Sequence, residues 1–487
     1  MKTIVLIIAL FGLLILPSDH RLMSVDDDDD YFAVASSIAY GKFPYFSDEF
    51  HVGEKMPYAS VGPGVLASPF VFLFSLIDRM KNEPIVQKRE KDNRYWSWTL
   101  FGFHFAAYIY LLLGVLVLYE TLKQWETEFS SLLATLMITL GGGGLLIYVF
   151  KRPVMSHVFE FFTVSLGVFL ISLILKGRHL KYHGEFIGLC AAFIFLTRYN
   201  NVFLSVGLIL TFLYVQWRID KEISVWRVIK VIVPFVIPIA IFRVLPVLAN
   251  GFSAQDQGYA GALDRIIPVL DPLFYWVRIG EIFLDTDMGM LYTAPVVLIS
   301  LVALWLYGAK LPRELLFLSA FALFNLYFAA TWKSFGSYYG YRHVVFTALP
   351  LLSIYLVTML DHLGVRFGKR ALIIACVAIV YIPVMSMLVF ERGSNYTFSL
   401  IVNSYGEQTY SRLNYHGDLI LDLVKNPVQP VVQAIKTGLG PIFSGRLPFE
   451  HVLQRLLLYL APPILFLLFY KPLRRRVQHV SKLKEVV

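Results

Sequence analysis

Long apolar runs alternate with short polar segments along most of this chain. Each run holds about 17 to 22 residues, and a helix of that length spans the hydrocarbon core of a bilayer. A helix satisfies its own backbone hydrogen bonds in lipid, whereas an open strand leaves them exposed. The pattern therefore predicts an all-α, polytopic membrane protein with about 11 to 13 transmembrane helices.

The composition agrees with a membrane protein. Hydrophobic residues make up 57% of the 487 residues and charged residues 16%, against about 25% charged in soluble domains. The net charge is +9, but lysines and arginines gather at the ends of apolar runs, as the positive-inside rule expects. We therefore predict that the protein lies in a membrane and does not bind nucleic acid. Cys190 and Cys376 lie inside apolar runs, which indicates neither a disulfide framework nor a cysteine metal site.

The order of apolar and polar segments divides the chain into three parts. Residues 1–390 form a transmembrane domain whose first external loop is 19–60, residues 391–450 form a small external segment, and residues 451–487 hold the last transmembrane helix and a basic cytoplasmic tail. Residues 2–16 resemble a secretory signal, but no small-residue cleavage site follows them, so we predict a retained first helix with a cytoplasmic N-terminus.

Basic loops assign the sides of the membrane. They place 79–94, 217–222, 308–314 and 361–370 in the cytoplasm, so the run 64–77 should return the chain there. Three apolar runs then lie between two basic loops, one near Lys88 and one near Lys176. Three crossings would put these loops on opposite sides of the membrane, although both are predicted to be cytoplasmic. We expect that one run, broken at Gly141–Gly144 or at residues 151–153, enters only part-way.

An acidic run stands directly after the first helix. Five aspartates, residues 26–30, precede Tyr31 and an amphipathic stretch that ends at Gly41 and Pro44. A solvated charge run is the simplest interpretation. Because these acids are predicted at the external membrane surface, one of them could instead deprotonate a hydroxyl while a lipid-borne donor approaches from the bilayer.

Several cations fall in segments that are predicted to be external. They are Arg152, His157, Arg198, Lys333, Arg342 and His343. Any one of them is explained by snorkelling to the interface. Together they oppose the positive-inside bias and suggest an anionic lipid phosphate as partner, since arginine binds phosphate with paired hydrogen bonds.

Four groups of motifs carry a resemblance to a known family. They are Asp27 and Asp28 ahead of Tyr31 and Gly41; Gly62-Pro63-Gly64 with Pro69, and later residues 153–159; residues 283–295; and Trp332 with Gly340-Tyr341-Arg342-His343 ahead of Pro350. In this order they resemble the integral-membrane glycosyltransferases of the GT-C fold, namely the bacterial relatives of protein O-mannosyltransferases and of the aminoarabinose transferase. The family usually has an Asp-Glu pair where this chain has Asp27-Asp28.

The resemblance implies an enzyme and a mechanism. A polyprenyl-phosphate sugar binds from the outer leaflet, with its phosphate near Arg342 and near Arg198 or Lys333. Asp28 or Asp27 acts as base on the acceptor hydroxyl, and a hexosyl or pentosyl group is transferred with inversion. Donor or acceptor is oriented by further side chains: His157, Asp285, Tyr31 and His343. No cofactor is required, although the acid cluster is compatible with a divalent metal. The enzyme is expected in the inner (plasma) membrane, with its active site facing the periplasm.

The sequence leaves two other functions open. A flippase or transporter of lipid-linked glycans usually carries ionisable groups in mid-membrane, which most of these apolar runs lack. A polysaccharide polymerase or ligase uses similar donors. Neither the sugar nor the acceptor follows from local spacing, so the acceptor remains a lipid, a glycan or a protein hydroxyl.

Overall fold

A computed structural model gives the architecture of the chain. It describes residues 2–15, 27–46, 60–82, 97–150, 152–178, 180–250, 279–280, 282–284, 289–330, 342–389, 399–402, 408–411, 423–428, 431–432, 453 and 456–470.

Helices dominate these residues. In chain order they are α1 (Lys2–Ile15), α2 (Asp27–Ala39), α3 (Gly62–Lys81), α4 (Trp98–Leu122), α5 (Glu128–Gly141), α6 (Leu145–Phe150), α7 (His157–Leu175), α8 (His183–Thr197), α9 (Val202–Asp220), α10 (Val225–Ile239), α11 (Leu245–Asn250), α12 (Met290–Thr293), α13 (Pro295–Tyr307), α14 (Arg313–Ala330), α15 (Arg342–Phe367), α16 (Lys369–Val389) and α17 (Leu456–Tyr470). A π-helical turn, Ala240–Val244, joins α10 to α11, and 3₁₀ turns occupy Tyr199–Asn201 and Gly308–Lys310.

One small sheet accompanies the helices in the described part of the chain. Strands β1 (Ser399–Val402) and β2 (Gln408–Ser411) pair antiparallel, with Ser399 opposite Ser411. This hairpin lies within the segment 391–450 that the sequence assigns to a separate external part.

Seven helical stretches of the described residues are long and apolar enough to cross a membrane, and five shorter apolar helices accompany them. Many of their apolar side chains remain exposed, among them Trp305, Leu248 and Ile374, as expected of a surface that faces lipid. The predicted all-α, polytopic membrane architecture is confirmed.

The direction of α7 and α8 defines two ends of the bundle. End A is where α7 begins at His157 and α8 ends at Thr197; end B is where α7 ends and α8 begins. His183 in the first turn of α8 contacts the Leu170 carbonyl oxygen through Nε2 at 2.9 Å, so the two helices are antiparallel.

Helices α4 and α7 run in the same direction. Phe103 in the first half of α4 packs against Phe159 in the first turn of α7, with ring centroids 5.7 Å apart, and Trp125 just after α4 donates to Ser172 near the end of α7. Helices α5 and α6 return the chain from end B to end A, because the residue before α5, Thr127, contacts Asp361 in the last turns of α15 while Tyr148 in α6 reaches end A.

The predicted return of residues 64–77 to the cytoplasmic side is therefore wrong. Asp78 in the last turn of α3 accepts backbone hydrogen bonds from Trp98 and Thr99 at the start of α4, at 3.0 and 2.7 Å. At the start of α3, a Cβ on Gly62 would lie 2.5 Å from the backbone of Thr197, where α8 ends. Because α4 begins and α8 ends at end A, both ends of α3 lie toward end A. The start of α4 and the end of α7 then lie at opposite ends of the bundle, and three crossings join them.

Glycines produce the break between α5 and α6. Gly143 and Gly144 have φ of +73° and +80°, a region that favours glycine because it has no Cβ. The Gly143 amide donates to the Thr293 carbonyl oxygen at 3.1 Å, so a backbone group that leaves the helical ladder is satisfied inside the protein. The predicted interruption at Gly141–Gly144 is thus present, but the chain continues through it to end A.

Candidate functional site at end A

The acidic run becomes the first turn of a buried helix. Helix α2 begins at Asp27, and residues 28–35 are all buried. Carboxylates in a first turn interact favourably with the positive end of the helix dipole. Asp28, Asp29 and Asp30 are therefore part of the packed interior, and the solvated interpretation of this run does not hold for them.

Asp28 forms a buried ion pair with Arg152. Its Oδ2 accepts hydrogen bonds from Nη2 of Arg152 at 2.8 Å and from Nε at 3.3 Å. Asp28 is 1% exposed and Arg152 is 6% exposed. Removing one partner of a buried pair leaves an uncompensated charge, so this contact holds α2 against the segment that leads into α7.

A second group of charges surrounds Glu160 in the first turn of α7. The Glu160 carboxylate is fully buried; its Oε2 lies 3.7 Å from Nη1 of Arg198 and 3.6 Å from Nδ1 of His157. Arg198 Nη1 lies in turn 3.5 Å from His157 Nδ1. The structure thus brings together two cations that the sequence predicts, Arg198 and His157, around an acid that it does not.

Two asparagines extend this group across the bundle. Asn201 Nδ2 donates to Glu160 Oε1 at 2.9 Å, and Asn325 Nδ2 of α14 donates to Asn201 Oδ1 at 3.1 Å. Both asparagines are buried. A chain of amides therefore ties the Glu160 carboxylate to α9 and α14, which restricts where it can lie.

Aromatic rings enclose His157. The Tyr148 ring lies 4.3 Å from the imidazole between centroids, and the Phe346 ring lies 5.1 Å from it. Phe346 stands one turn after Arg342, where α15 begins. The backbone of Arg342 and His343 is therefore close to end A of the bundle.

Glycines allow the backbones to approach one another at this end. A Cβ on Gly64 would lie 2.6 Å from the Tyr31 carbonyl oxygen, and one on Gly62 would lie 2.5 Å from the backbone of Thr197. Ser60 Oγ donates to the Thr197 carbonyl oxygen at 2.7 Å. The Gly62-Pro63-Gly64 motif thus brings α2, α3 and the residue before Arg198 into direct contact.

The predicted site residues divide into three groups. Asp28, Tyr31, His157 and Arg198 lie at end A with described side chains, and Tyr31 is buried in α2. Asp27, Arg342 and His343 are described by their backbones, at the first positions of α2 and α15. Lys333 and Asp285 fall outside the described residues, so their roles stay predictions.

Sequence reasoning missed three residues of this end. Glu160 and Asn325 stand inside apolar runs, and an ionisable or amide group in such a run is itself a signal of function. Arg243 lies in the π-helical turn after α10, with its guanidinium 4.9 Å from the Tyr199 ring centroid. π-helical turns occur frequently at functional sites, but this turn is visible only in the structure.

The described residues contain no group of three or more His, Cys, Asp or Glu side chains that could hold a metal ion. Asp28 directs a carboxylate oxygen to Arg152.

End B carries an ion pair and a side-chain hydrogen bond that join helix ends. Arg218 in the last turns of α9 pairs with Glu314 in the first turn of α14, and the Arg218 side chain is 60% exposed. Asp361 accepts a hydrogen bond from Ser130 at 2.7 Å. These contacts join helix ends at the surface, and they supply matched controls for substitutions at end A.

No protein-family model and no curated protein matches this chain. Among solved structures, it is similar to ArnT from Cupriavidus metallidurans in the apo state, at 13% identity and a TM-score of 0.49, with 95% of this chain and 76% of that chain covered. The ArnT structure bound to undecaprenyl phosphate gives 13% identity and a TM-score of 0.44, with 95% and 77% covered.

The chain is also similar to the archaeal oligosaccharyltransferase AglB from Archaeoglobus fulgidus in complex with an inhibitory peptide and a dolichol-phosphate. The identity is 13% and the TM-score 0.45, with 79% of this chain and 55% of that chain covered. This chain thus spans about half the length of AglB.

Proposed function

We propose that this protein is an inverting glycosyltransferase of the GT-C class, which transfers a hexosyl or pentosyl group from a polyprenyl-phosphate donor to an acceptor hydroxyl at end A. The observation that carries the proposal is the placement of Asp28 and Arg198, in two buried ion pairs at one end of an apolar bundle. Burying ions costs several kcal/mol each, so such groups in a membrane protein indicate a functional site.

The backbone at end A also favours an anion. Helices α7, α9 and α15 all begin there, at His157, Val202 and Arg342. The N-terminal end of each helix carries a partial positive charge of about half an elementary charge. A lipid phosphate at this end would meet these dipoles together with Arg198 and the proposed side chains of Arg342 and Lys333.

In the proposed reaction, Asp28 takes the proton of the acceptor hydroxyl while the hydroxyl oxygen bonds to the anomeric carbon. The bond from that carbon to the phosphate oxygen breaks, and the polyprenyl phosphate leaves with its electron pair. A carboxylate accepts several hydrogen bonds at once, so the pairing of Asp28 with Arg152 is compatible with this role and orients it. Asp27 is the alternative base, and His157, Tyr31, His343 and Asp285 are proposed to orient donor or acceptor.

The proposal places end A at the exterior face of the cytoplasmic membrane, where a flipped donor is available. The acceptor is a lipid, glycan or protein hydroxyl. A divalent metal is compatible with the acids, but no step of the proposal requires one.

The test is sugar transfer by purified protein from a radiolabelled panel of polyprenyl-phosphate sugars into a membrane extract. Asp28→Asn preserves the size of the side chain but removes the base, and we expect it to lower the transfer rate about 10²- to 10⁴-fold. Arg342→Ala should weaken use of the donor. Arg218→Gln at end B should leave the rate within about twofold, since it lies far from the proposed phosphate.

Two results would overturn this function. One is wild-type activity in Asp28→Asn with an unchanged melting temperature. The other is movement of labelled lipid across a proteoliposome bilayer with no covalent transfer from any donor, which would favour a flippase or transporter. Release of long glycan chains in place of single-sugar products would favour a polymerase or ligase.

A further inference from the structure

The Arg198 guanidinium already lies next to the carboxyl group of an acid. Glu160 Oε2 lies 3.7 Å from its Nη1, and the carboxylate is fully buried, whereas the Arg198 side chain is 11% exposed. An arginine dedicated to phosphate alone would bind it most tightly without such a neighbour. In its ionised form this acid would oppose the phosphate binding attributed to Arg198.

We infer that Glu160 is a positioning and counter-charge residue for a phosphate monoester site at Arg198, which it holds in place while limiting how tightly the phosphate is retained. The inference rests on the proposed function, because it takes the phosphate of a polyprenyl carrier as the ligand. It assigns to Glu160 control over release of the leaving polyprenyl phosphate.

The contacts of Glu160 support a restrained position. Asn201 donates to Oε1 at 2.9 Å, Asn325 holds Asn201 at 3.1 Å, and His157 lies 3.6 Å from Oε2. These partners come from α7, α14 and the 3₁₀ turn before α9. A carboxylate fixed by three separate segments keeps Arg198 at one place and keeps its own charge at a constant distance.

Replacing Glu160 should have opposite effects on phosphate binding if it acts as a counter-charge and if it is only a structural contact. An opposite charge at about 4–6 Å changes the proton affinity of a carboxyl group about 10- to 1000-fold. A phosphate bound on the outer side of Arg198 is farther from Glu160, so the effect should be near the lower limit. Neutralising Glu160 should therefore tighten phosphate binding about tenfold, whereas damage to a structural contact would weaken it.

The experiment measures binding of radiolabelled farnesyl phosphate, a short polyprenyl phosphate, to the full-length protein in detergent. We expect Glu160→Gln to lower the Kd about tenfold and to slow turnover through product retention. Glu160→Asp keeps the charge but withdraws it by one methylene, so it should tighten binding less. Glu314→Gln is the matched control, because it removes the counter-charge of Arg218 at end B and should leave the Kd unchanged.

The outcomes separate this inference from the proposed function. Failure of the wild type to bind farnesyl phosphate, or binding that Arg198→Gln does not affect, would overturn both. Binding that needs Arg198 but is unchanged or weakened in Glu160→Gln would overturn the inference alone. Where Glu160→Gln does not fold, Glu160→Asp decides: tighter binding supports the inference, and equal or weaker binding overturns it.

Discussion

Two buried aspartates near end A illustrate how partners decide the role of a residue. Asp78 accepts hydrogen bonds from the backbone amides of Trp98 and Thr99, so it satisfies the first turn of α4. Asp28 pairs with the Arg152 guanidinium instead. The first arrangement stabilises a helix end, whereas the second joins α2 to the segment before α7 through a buried ion pair.

Asp78→Asn should therefore reduce stability and spare chemistry. The NH₂ group of the new side chain would face the backbone N–H groups of Trp98 and Thr99, which are donors themselves. At least one of these buried donors would lose its acceptor, and an unsatisfied buried group costs about 1–3 kcal/mol. We expect a lower melting temperature with transfer per folded molecule within about twofold of the wild type, the reverse of the expectation for Asp28→Asn. Loss of transfer in folded Asp78→Asn would show that the distinction between the two aspartates is mistaken.

The sequence identified a good part of end A at the residue scale. The cation pattern named Arg152, His157 and Arg198, and the structure places Arg152 against Asp28 and Arg198 beside His157. Their roles stay predictions. The sequence did not indicate Glu160. Its partners, Arg198 and Asn201, stand 38 and 41 residues farther along the chain, and no local pattern relates them to it.

At the scale of elements, close backbone contacts join α2 to α3. Gly64 lies where a Cβ would be 2.6 Å from the Tyr31 carbonyl oxygen, and Val34 occupies the remaining space. These helices pack side by side through that contact, and α2 carries Asp28. The position of the acid therefore depends on a glycine in another helix.

Gly64→Ala should separate α2 from α3 and displace Asp28. A shift of about 1 Å in a reacting group can cost about a hundredfold in rate, so we expect a loss of that order together with a lower melting temperature. Gly364→Ala in α15 is the control, because its nearest neighbour, Leu372, would be 3.4 Å from the new Cβ. Equal effects of the two substitutions on transfer would contradict this account.

The sequence predicted the existence of most helices better than their directions. The positive-inside rule assigns the basic residues at the end of α3, Arg79 and Lys81, to a cytoplasmic loop. Arg79 is instead occupied locally: its Nη2 donates to the Ala39 carbonyl oxygen at 2.8 Å, and its guanidinium lies 4.2 Å from the Tyr40 ring centroid. A charge rule cannot separate such an arginine from one that faces the cytoplasm.

For the whole molecule, the helix directions make a labelling prediction. In a chain whose Cys190 and Cys376 are replaced by alanine, Asn82→Cys and Lys181→Cys should react with a membrane-impermeant maleimide from opposite sides. Both positions are exposed, Asn82 after α3 and Lys181 before α8. We expect Asn82→Cys to label in intact cells and Lys181→Cys only after permeabilisation. Labelling of both positions from the same side would instead support the prediction that α3 returns the chain to the cytoplasm.

The pairing of Asp28 with Arg152 also affects biosynthesis. The two residues are 124 positions apart, and Asn325 joins Asn201 across an equal interval. A ribosome adds roughly 5–20 residues per second, so Asp28 waits roughly 6–25 s for its partner to be synthesised. Until then α2 carries acids without the guanidinium that neutralises them in the finished protein. The ion pair of the acidic helix therefore forms only after residue 152 has been synthesised, whereas the amide contact that completes the Glu160 group waits for Asn325, in the second half of the chain.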